Sequence, residues 1–416
     1  MNSFFLVVLA LAMAGCQVVQ TDDDHGDTRT TATPISPAPV TRVSGHLETA
    51  ADVDSFTLVV RSPGTVYAAS RSRDVDVSIE SASHSSPGGT FHAALTVDPG
   101  PGRPVDVYVR VSGASSARYD LAVWLIERTE SEPFTIELVF VGAEPTAQQR
   151  KIIGEAAQVW QDAIIRGLPD TPVLSSSWKC EEQDPSPFGE HIDDLRVYLR
   201  LKPEERDRGL AVSGVCWQRE AGLPLISEVT LFADGLSFGD AVLRKLVVHE
   251  LAHALGFGTI GRWGDLLENA AGHRNSGAMP MPMALPDTHF TGQQAVTAFD
   301  DVGGASHAGG KVPVENDVQV YGSSSVDSHW REAVFATELM TPRLSASSSE
   351  QPLSRVTLAA LADLGYDVDY THAESFALPG RTQSVLNEGS VMLYVGDDTR
   401  RGPVGVARTP VGIGSR

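Results

Sequence analysis

At 416 residues, with 42% hydrophobic and 20% charged side chains, the chain is long enough for two domains and too rich in buriable groups to be disordered. Its 53 acidic against 32 basic residues leave a formal net charge of −21. That balance excludes nucleic acid as a partner, because phosphate backbones require clustered Lys and Arg.

The first element is an apolar run over residues 4–14 that ends in Met13-Ala14-Gly15-Cys16. Such a run is too short to span a bilayer and reads as a secretory signal over residues 1–15. It resembles a bacterial lipoprotein signal, which implies acylation of Cys16 and a lipid anchor in the membrane of the cell envelope; an ordinary signal peptide would give a secreted protein instead. Either way the chain is expected to leave the cytosol. Removing Cys16 from the count leaves Cys180 and Cys216, an even pair expected to form a disulfide in an oxidising compartment, with two buried free thiols as the alternative. Residues 16–40, rich in Thr, Asp and Pro, read as a flexible linker.

Residues 41–128 carry short alternating runs, among them Ser55-Phe56-Thr57-Leu58-Val59-Val60, Val105-Asp106-Val107-Tyr108-Val109 and Tyr119-Asp120-Leu121-Ala122-Val123. Period-two alternation broken by Pro99-Gly100-Pro101-Gly102 predicts a small antiparallel β-sandwich. The stretch resembles the pre-peptidase domain of secreted bacterial peptidases, which implies an accessory role such as adhesion. Asp52 and Asp54 read as turn residues rather than calcium ligands.

A second unit, residues 133–378, opens with the strand-like Phe134-Thr135-Ile136-Glu137-Leu138-Val139. A helix follows over 146–165, where Ile152, Ile153, Ala156, Val159, Trp160 and Ala163 recur at helical spacing, so the unit reads as an α+β domain. Strands are expected at 195–199 and 226–233, and a further helix at 353–364. Residues 256–328 read mostly as long loops, and 379–416 as an irregular tail.

Chemistry concentrates in His249-Glu250-Leu251-Ala252-His253-Ala254-Leu255-Gly256. Two histidines four apart on a helix project from one face and can grip one metal ion, with Glu250 beside them as a general base. Asp240 is the expected N-cap of that helix. In a chain with 12 histidines, chance would supply His-Glu-x-x-His with the following Gly roughly 0.002 times. Gly256 can adopt positive φ, end the helix abruptly and turn the chain back under the metal. This is the metzincin arrangement, but Thr259 stands where the usual third His would be, so a distant ligand is required. His273, His289, His307 and His329 are the candidates downstream.

His329 is followed by Trp330-Arg331-Glu332 and then by Glu338-Leu339-Met340-Thr341-Pro342. With Val312-Pro313-Val314-Glu315-Asn316 and Leu361-Ala362-Asp363-Leu364-Gly365-Tyr366, these segments resemble the leishmanolysin family of metzincins, bacterial branch. The resemblance implies one catalytic Zn²⁺ held by His249, His253 and His329, Glu250 as base, and Met340 as a hydrophobic floor that does not ligate. It also implies a zinc endopeptidase acting on protein or peptide substrates. His289 is expected to be structural. Two rival readings are a thermolysin-like peptidase using Glu268 as third ligand and a catalytically silent surface adhesin.

Overall fold

In the computed structural model, described residues are 24–379, apart from 37–39, 87–89, 115, 128–131, 206–208, 271–286, 308–309, 323 and 346–350, together with 390–392 and 405–407. The signal segment, Cys16, His273 and most of the C-terminal tail lie outside them.

The molecule is mixed α/β, with a β-rich N-terminal part. There two four-stranded sheets face each other. One runs Thr33–Pro34, Val53–Val60, Val105–Gly113, Val75–Ser81; the other runs Thr41–His46, Arg118–Glu127, Gly64–Ser70, His92–Val97. Alternation sends Phe56, Leu58 and Val60 from one sheet and Leu121 and Val123 from the other into a shared core. Two expectations change. Part of the presumed linker is ordered, because Thr33 and Pro34 pair in parallel with Phe56 and Thr57 and Ile35 packs against the core. Asp54 is a strand residue rather than a turn residue, fully buried and accepting a hydrogen bond from Tyr119 Oη at 2.5 Å; Asp52 does close a turn, accepting from Glu48 N at 2.8 Å.

The second unit is built on a mixed sheet in the order Gly405–Ala407, Ala211–Arg219, Pro224–Phe232, Leu195–Lys202, Ile136–Gly142. The last three run parallel, and Ala211–Arg219 is antiparallel to Pro224–Phe232. The tail is therefore not wholly irregular: Gly405–Ala407 pairs with Trp217–Arg219 and Ser390–Met392 with Arg343–Ser345, backbone pairings that sequence alternation does not announce.

The helix Ala147–Ala163 connects the first two parallel strands. It begins on a capping box, Thr146 Oγ1 accepting from Gln149 N while Gln149 returns the bond. Its buried face meets the helix Asp240–Ala254, and Trp160 Nε1 donates to Val248 O at 2.9 Å. The N-cap of Asp240–Ala254 is Gly239; Asp240 instead sits in the first turn and accepts from Gln148 of the neighbouring helix at 2.6 Å. Cys180 and Cys216 form a disulfide that ties the loop after the first helix to the strand Ala211–Arg219, with Cα atoms 5.3 Å apart.

Within 256–328, expected to be loops, Gln293–Asp301 is a helix. Its own N-cap, Gly292, offers no side chain. The exposed amides of Gln294 and Ala295 are instead taken by the carboxylate of Asp363, at 3.0 and 2.9 Å, so the signal for its start lies almost seventy residues away on the helix Arg355–Leu364.

Candidate metal centre

Helical geometry brings His249 and His253 together on the inward face of Asp240–Ala254, where every residue from Val242 onward except Arg244 and Lys245 is buried. The helix ends on Leu255 with Gly256 at φ 107°. Gly256 N donates to His253 O and Phe257 N to Ala252 O, both at 3.0 Å, the paired bonds of a Schellman motif. A Cβ on Gly256 would lie 2.8 Å from Ile260 Cδ1. Gly258, at φ 73°, is forced for a second reason: its Cβ would fall 2.4 Å from Ser328 O. The missing side chain lets the turn leading to His329 lie against the turn that ends the helix of the first two histidines.

That approach completes the cluster. The Nε2 atoms of His249, His253 and His329 form a near-equilateral triangle with sides of 3.1, 3.2 and 3.2 Å. The opposite ring nitrogens fix the tautomers. His249 Nδ1 lies 2.7 Å from Leu339 O, His253 Nδ1 2.7 Å from Phe257 O and His329 Nδ1 3.1 Å from Ser325 O. A carbonyl only accepts, so each Nδ1 carries the proton and each Nε2 presents a lone pair. Three converging lone pairs repel one another unless a cation lies among them. Tetrahedral bonds of about 2.0–2.1 Å would hold such nitrogens about 3.3 Å apart, close to the spacing found, so the donor set fits a zinc-like ion. Among the described residues it is one of two clusters able to hold a metal, and the other contains the disulfide cysteines.

Glu250 and the three histidines are fully buried. Neither carboxylate oxygen of Glu250 has a hydrogen-bond partner among the described residues, and burial pushes its pKa up to about 8. Burial and mutual repulsion hold His249 down at about 3 and His329 well below the usual imidazole range. Neutral imidazoles with free lone pairs are the form a metal needs.

Met340 is fully buried, in a tight turn closed by Thr341 N donating to Glu338 O at 3.2 Å. The turn is joined to the segment that carries His329, since Trp330 N donates to Met340 O at 2.9 Å. Glu268 does not join the cluster. It lies at the surface on the short strand Leu267–Glu268, paired with Lys311, so the thermolysin-like arrangement fails on position. His289 accepts a structural place on the strand His289–Phe290, its Nδ1 2.7 Å from Asp287 O, and His307 lies against Phe299.

Several residues that sequence reasoning did not single out hold the site. Glu315, almost fully buried, accepts from Asn316 N, Asp317 N and Glu332 N at 2.9–3.0 Å, while its backbone brackets the turn that carries His329: Glu315 N donates to His329 O and Asp327 N to Glu315 O. Glu338 gathers the turn around Met340. Phe257, Trp263, Phe290, Trp330 and Phe335 interlock beneath, with ring centroids 4.2–5.9 Å apart. Glu315 and Glu338 stand in the family-like segments, but a buried carboxylate looks like a surface one until its donors are known.

No curated protein matches the chain by sequence. Among solved structures, a mutant periplasmic lysozyme inhibitor of g-type lysozyme from Escherichia coli is similar at 8% identity, covering 23% of this chain and 99% of that one with a TM-score of 0.19. The pre-peptidase C-terminal domain of a collagenase from Bacillus anthracis is similar at 12% identity, covering 25% and 100% with a TM-score of 0.18. The family model for leishmanolysin, peptidase family M8, matches residues 314–384. That span holds His329, Glu338 and Met340 and stops short of His249, Glu250 and His253. The match supports a zinc metallopeptidase in general.

Proposed function

We propose that the chain is a zinc-dependent endopeptidase in which His249, His253 and His329 hold the metal and Glu250 is the general base. The observation that carries the reading is the Nε2 triangle with sides of 3.1–3.2 Å beside a buried carboxylate that has no hydrogen-bond partner among the described residues. Three protein ligands leave a coordination position open, and a zinc ion bound there supplies Lewis-acid polarisation and acidifies water. Glu250 accepts a proton from the attacking water and returns it to the departing amine. Met340 packs beneath the ligands without binding. The four side chains are fully buried.

The reading extends to location: export, with a lipid anchor at Cys16, accords with the disulfide between Cys180 and Cys216. The test is metal content and casein-type hydrolysis for wild type and Glu250→Ala. Expected are one zinc per chain in both proteins, hydrolysis abolished by chelator and restored by zinc, and a loss in the variant of at least about 100-fold. Full cleavage by Glu250→Ala would overturn the assignment.

A further inference from the structure

Glu338 is fully buried, takes no part in the chemistry above, and is nevertheless saturated with donors. Its Oε2 accepts from Met340 N at 2.6 Å. Its Oε1 accepts from Ser354 N at 3.2 Å, Ser354 Oγ at 2.7 Å and Thr357 Oγ1 at 2.5 Å. The hydroxyl directions are forced. Thr357 Oγ1 already accepts from Trp330 Nε1 at 2.9 Å, and Ser354 Oγ, the N-cap of Arg355–Leu364, accepts from Thr357 N at 3.3 Å. Both hydroxyl protons are therefore free to point at Glu338. Burial raises the pKa of this carboxyl and the hydrogen bonds oppose that shift; four donors facing one group are the partners of the ionised, acceptor-only form.

The peptide unit that Glu338 grips is the one that orients a metal ligand. Met340 N–H and Leu339 C=O belong to the same planar peptide group and point in opposite directions. The N–H gives its proton to Glu338, and the C=O receives the Nδ1 proton of His249 at 2.7 Å. A carboxylate drawing on one end of a peptide group makes the carbonyl at the other end a stronger acceptor, because aligned hydrogen bonds polarise one another. A stronger acceptor at Nδ1 in turn makes Nε2 a better donor to a metal. Leu339 N, held by Pro352 O at 3.0 Å, keeps the preceding peptide in place.

We propose that Glu338 is a positioning residue for the metal centre, acting on His249 through the Leu339–Met340 peptide group as a carboxylate–peptide–imidazole relay. It does for His249 at one remove what a directly bonded carboxylate does for a metal-bound histidine elsewhere. The same carboxylate, through Thr357 and Trp330, also steadies the residue that follows His329. The inference rests on the metal-centre reading.

The test compares wild type with Glu338→Gln, which keeps the shape but removes the charge and sets an amide donor against donors. Zinc affinity is measured by competition with a chromophoric chelator, the ligand field by the visible spectrum of the cobalt-loaded protein, and folding by the melting of the chelated protein. The expected result is zinc affinity lower by about 10- to 100-fold, a shifted cobalt spectrum, and a fall in kcat with little change in KM. Glu338→Asp, which keeps the charge, recovers part of the affinity. A folded Glu338→Gln protein with zinc affinity within about twofold of wild type and an unchanged cobalt spectrum overturns the proposal. Should Glu338→Gln not fold, Thr357→Val replaces it: this variant strips one donor from the carboxylate and the acceptor from Trp330 Nε1 while leaving the bond from Met340 N in place, is expected to lower zinc affinity about threefold, and overturns the relay if affinity is unchanged. Failure of wild type to bind zinc would instead sink the metal-centre reading itself.

Discussion

Gly256→Ala tests whether the turn after the helix Asp240–Ala254 is held by backbone conformation. At φ 107° an L residue lies beyond even the ordinary left-handed region, a cost of about 1–3 kcal/mol. The new methyl would also sit 2.8 Å from Ile260 Cδ1, forcing that flexible side chain off its rotamer for about 0.5–1.5 kcal/mol more. Stability of the chelated protein should therefore fall by about 2–4 kcal/mol, read as a shift of the urea midpoint at unchanged slope. A second consequence follows from Phe257, whose carbonyl orients His253: if the turn shifts, zinc affinity should fall about tenfold. Repeating the substitution in an Ile260→Ala background separates the two contributions, because only the steric part should vanish. A loss under about 0.5 kcal/mol in both backgrounds would show that positive φ is not what selects glycine here.

Burial raises the Glu332 carboxyl to about 8, with Glu315 adding to the shift and Arg343 opposing it. The folded protein then holds a proton that the unfolded chain releases near pH 4.5, so this group's contribution falls as pH rises from about 4.5 to 8. Glu332→Gln removes the dependence. Relative to the variant, wild type should lose at most about 1.4 kcal/mol per pH unit across that window, and parallel urea midpoints between pH 5 and 8 would refute it. For the disulfide, whose partners are 36 residues apart, paired replacement of Cys180 and Cys216 by Ser should cost about 3–4 kcal/mol by loop-closure entropy. Equal stability of wild type with and without reductant would contradict that.

What the sequence disclosed and what it concealed divide by the range of the interactions. The spacing of His249 and His253 and the placement of Gly256 are local, and each is forced by the geometry of one helix. The helix Ala147–Ala163 was legible for the same reason, with its cap and its apolar stripe inside a single window. His329 could be chosen among four histidines only through the family-like segments around it, because nothing local distinguishes a ligand 76 residues from its partner. Gly258 illustrates the remainder: it looks like a flexible residue in a glycine-rich turn, and its requirement becomes visible only when Ser328 is found against it. Asp363 capping a helix and Glu338 gripping a peptide group are of this kind, ordinary acidic residues whose partners come from far along the chain.

The wide separation of the ligands also bears on how the protein folds. His249 and His329, 80 residues apart, meet only after the intervening segment has been drawn in, a slow non-local closure compared with formation of the helix that carries the first pair. A metal joining all three imidazoles acts as a cross-link across that closed loop, and a covalent bridge of the same span would restrict the unfolded chain by about 4–5 kcal/mol. On the metal-centre reading, loading with metal would mark the end of assembly. On that reading chelation, besides stopping the proposed hydrolysis, should lower the stability of the fold.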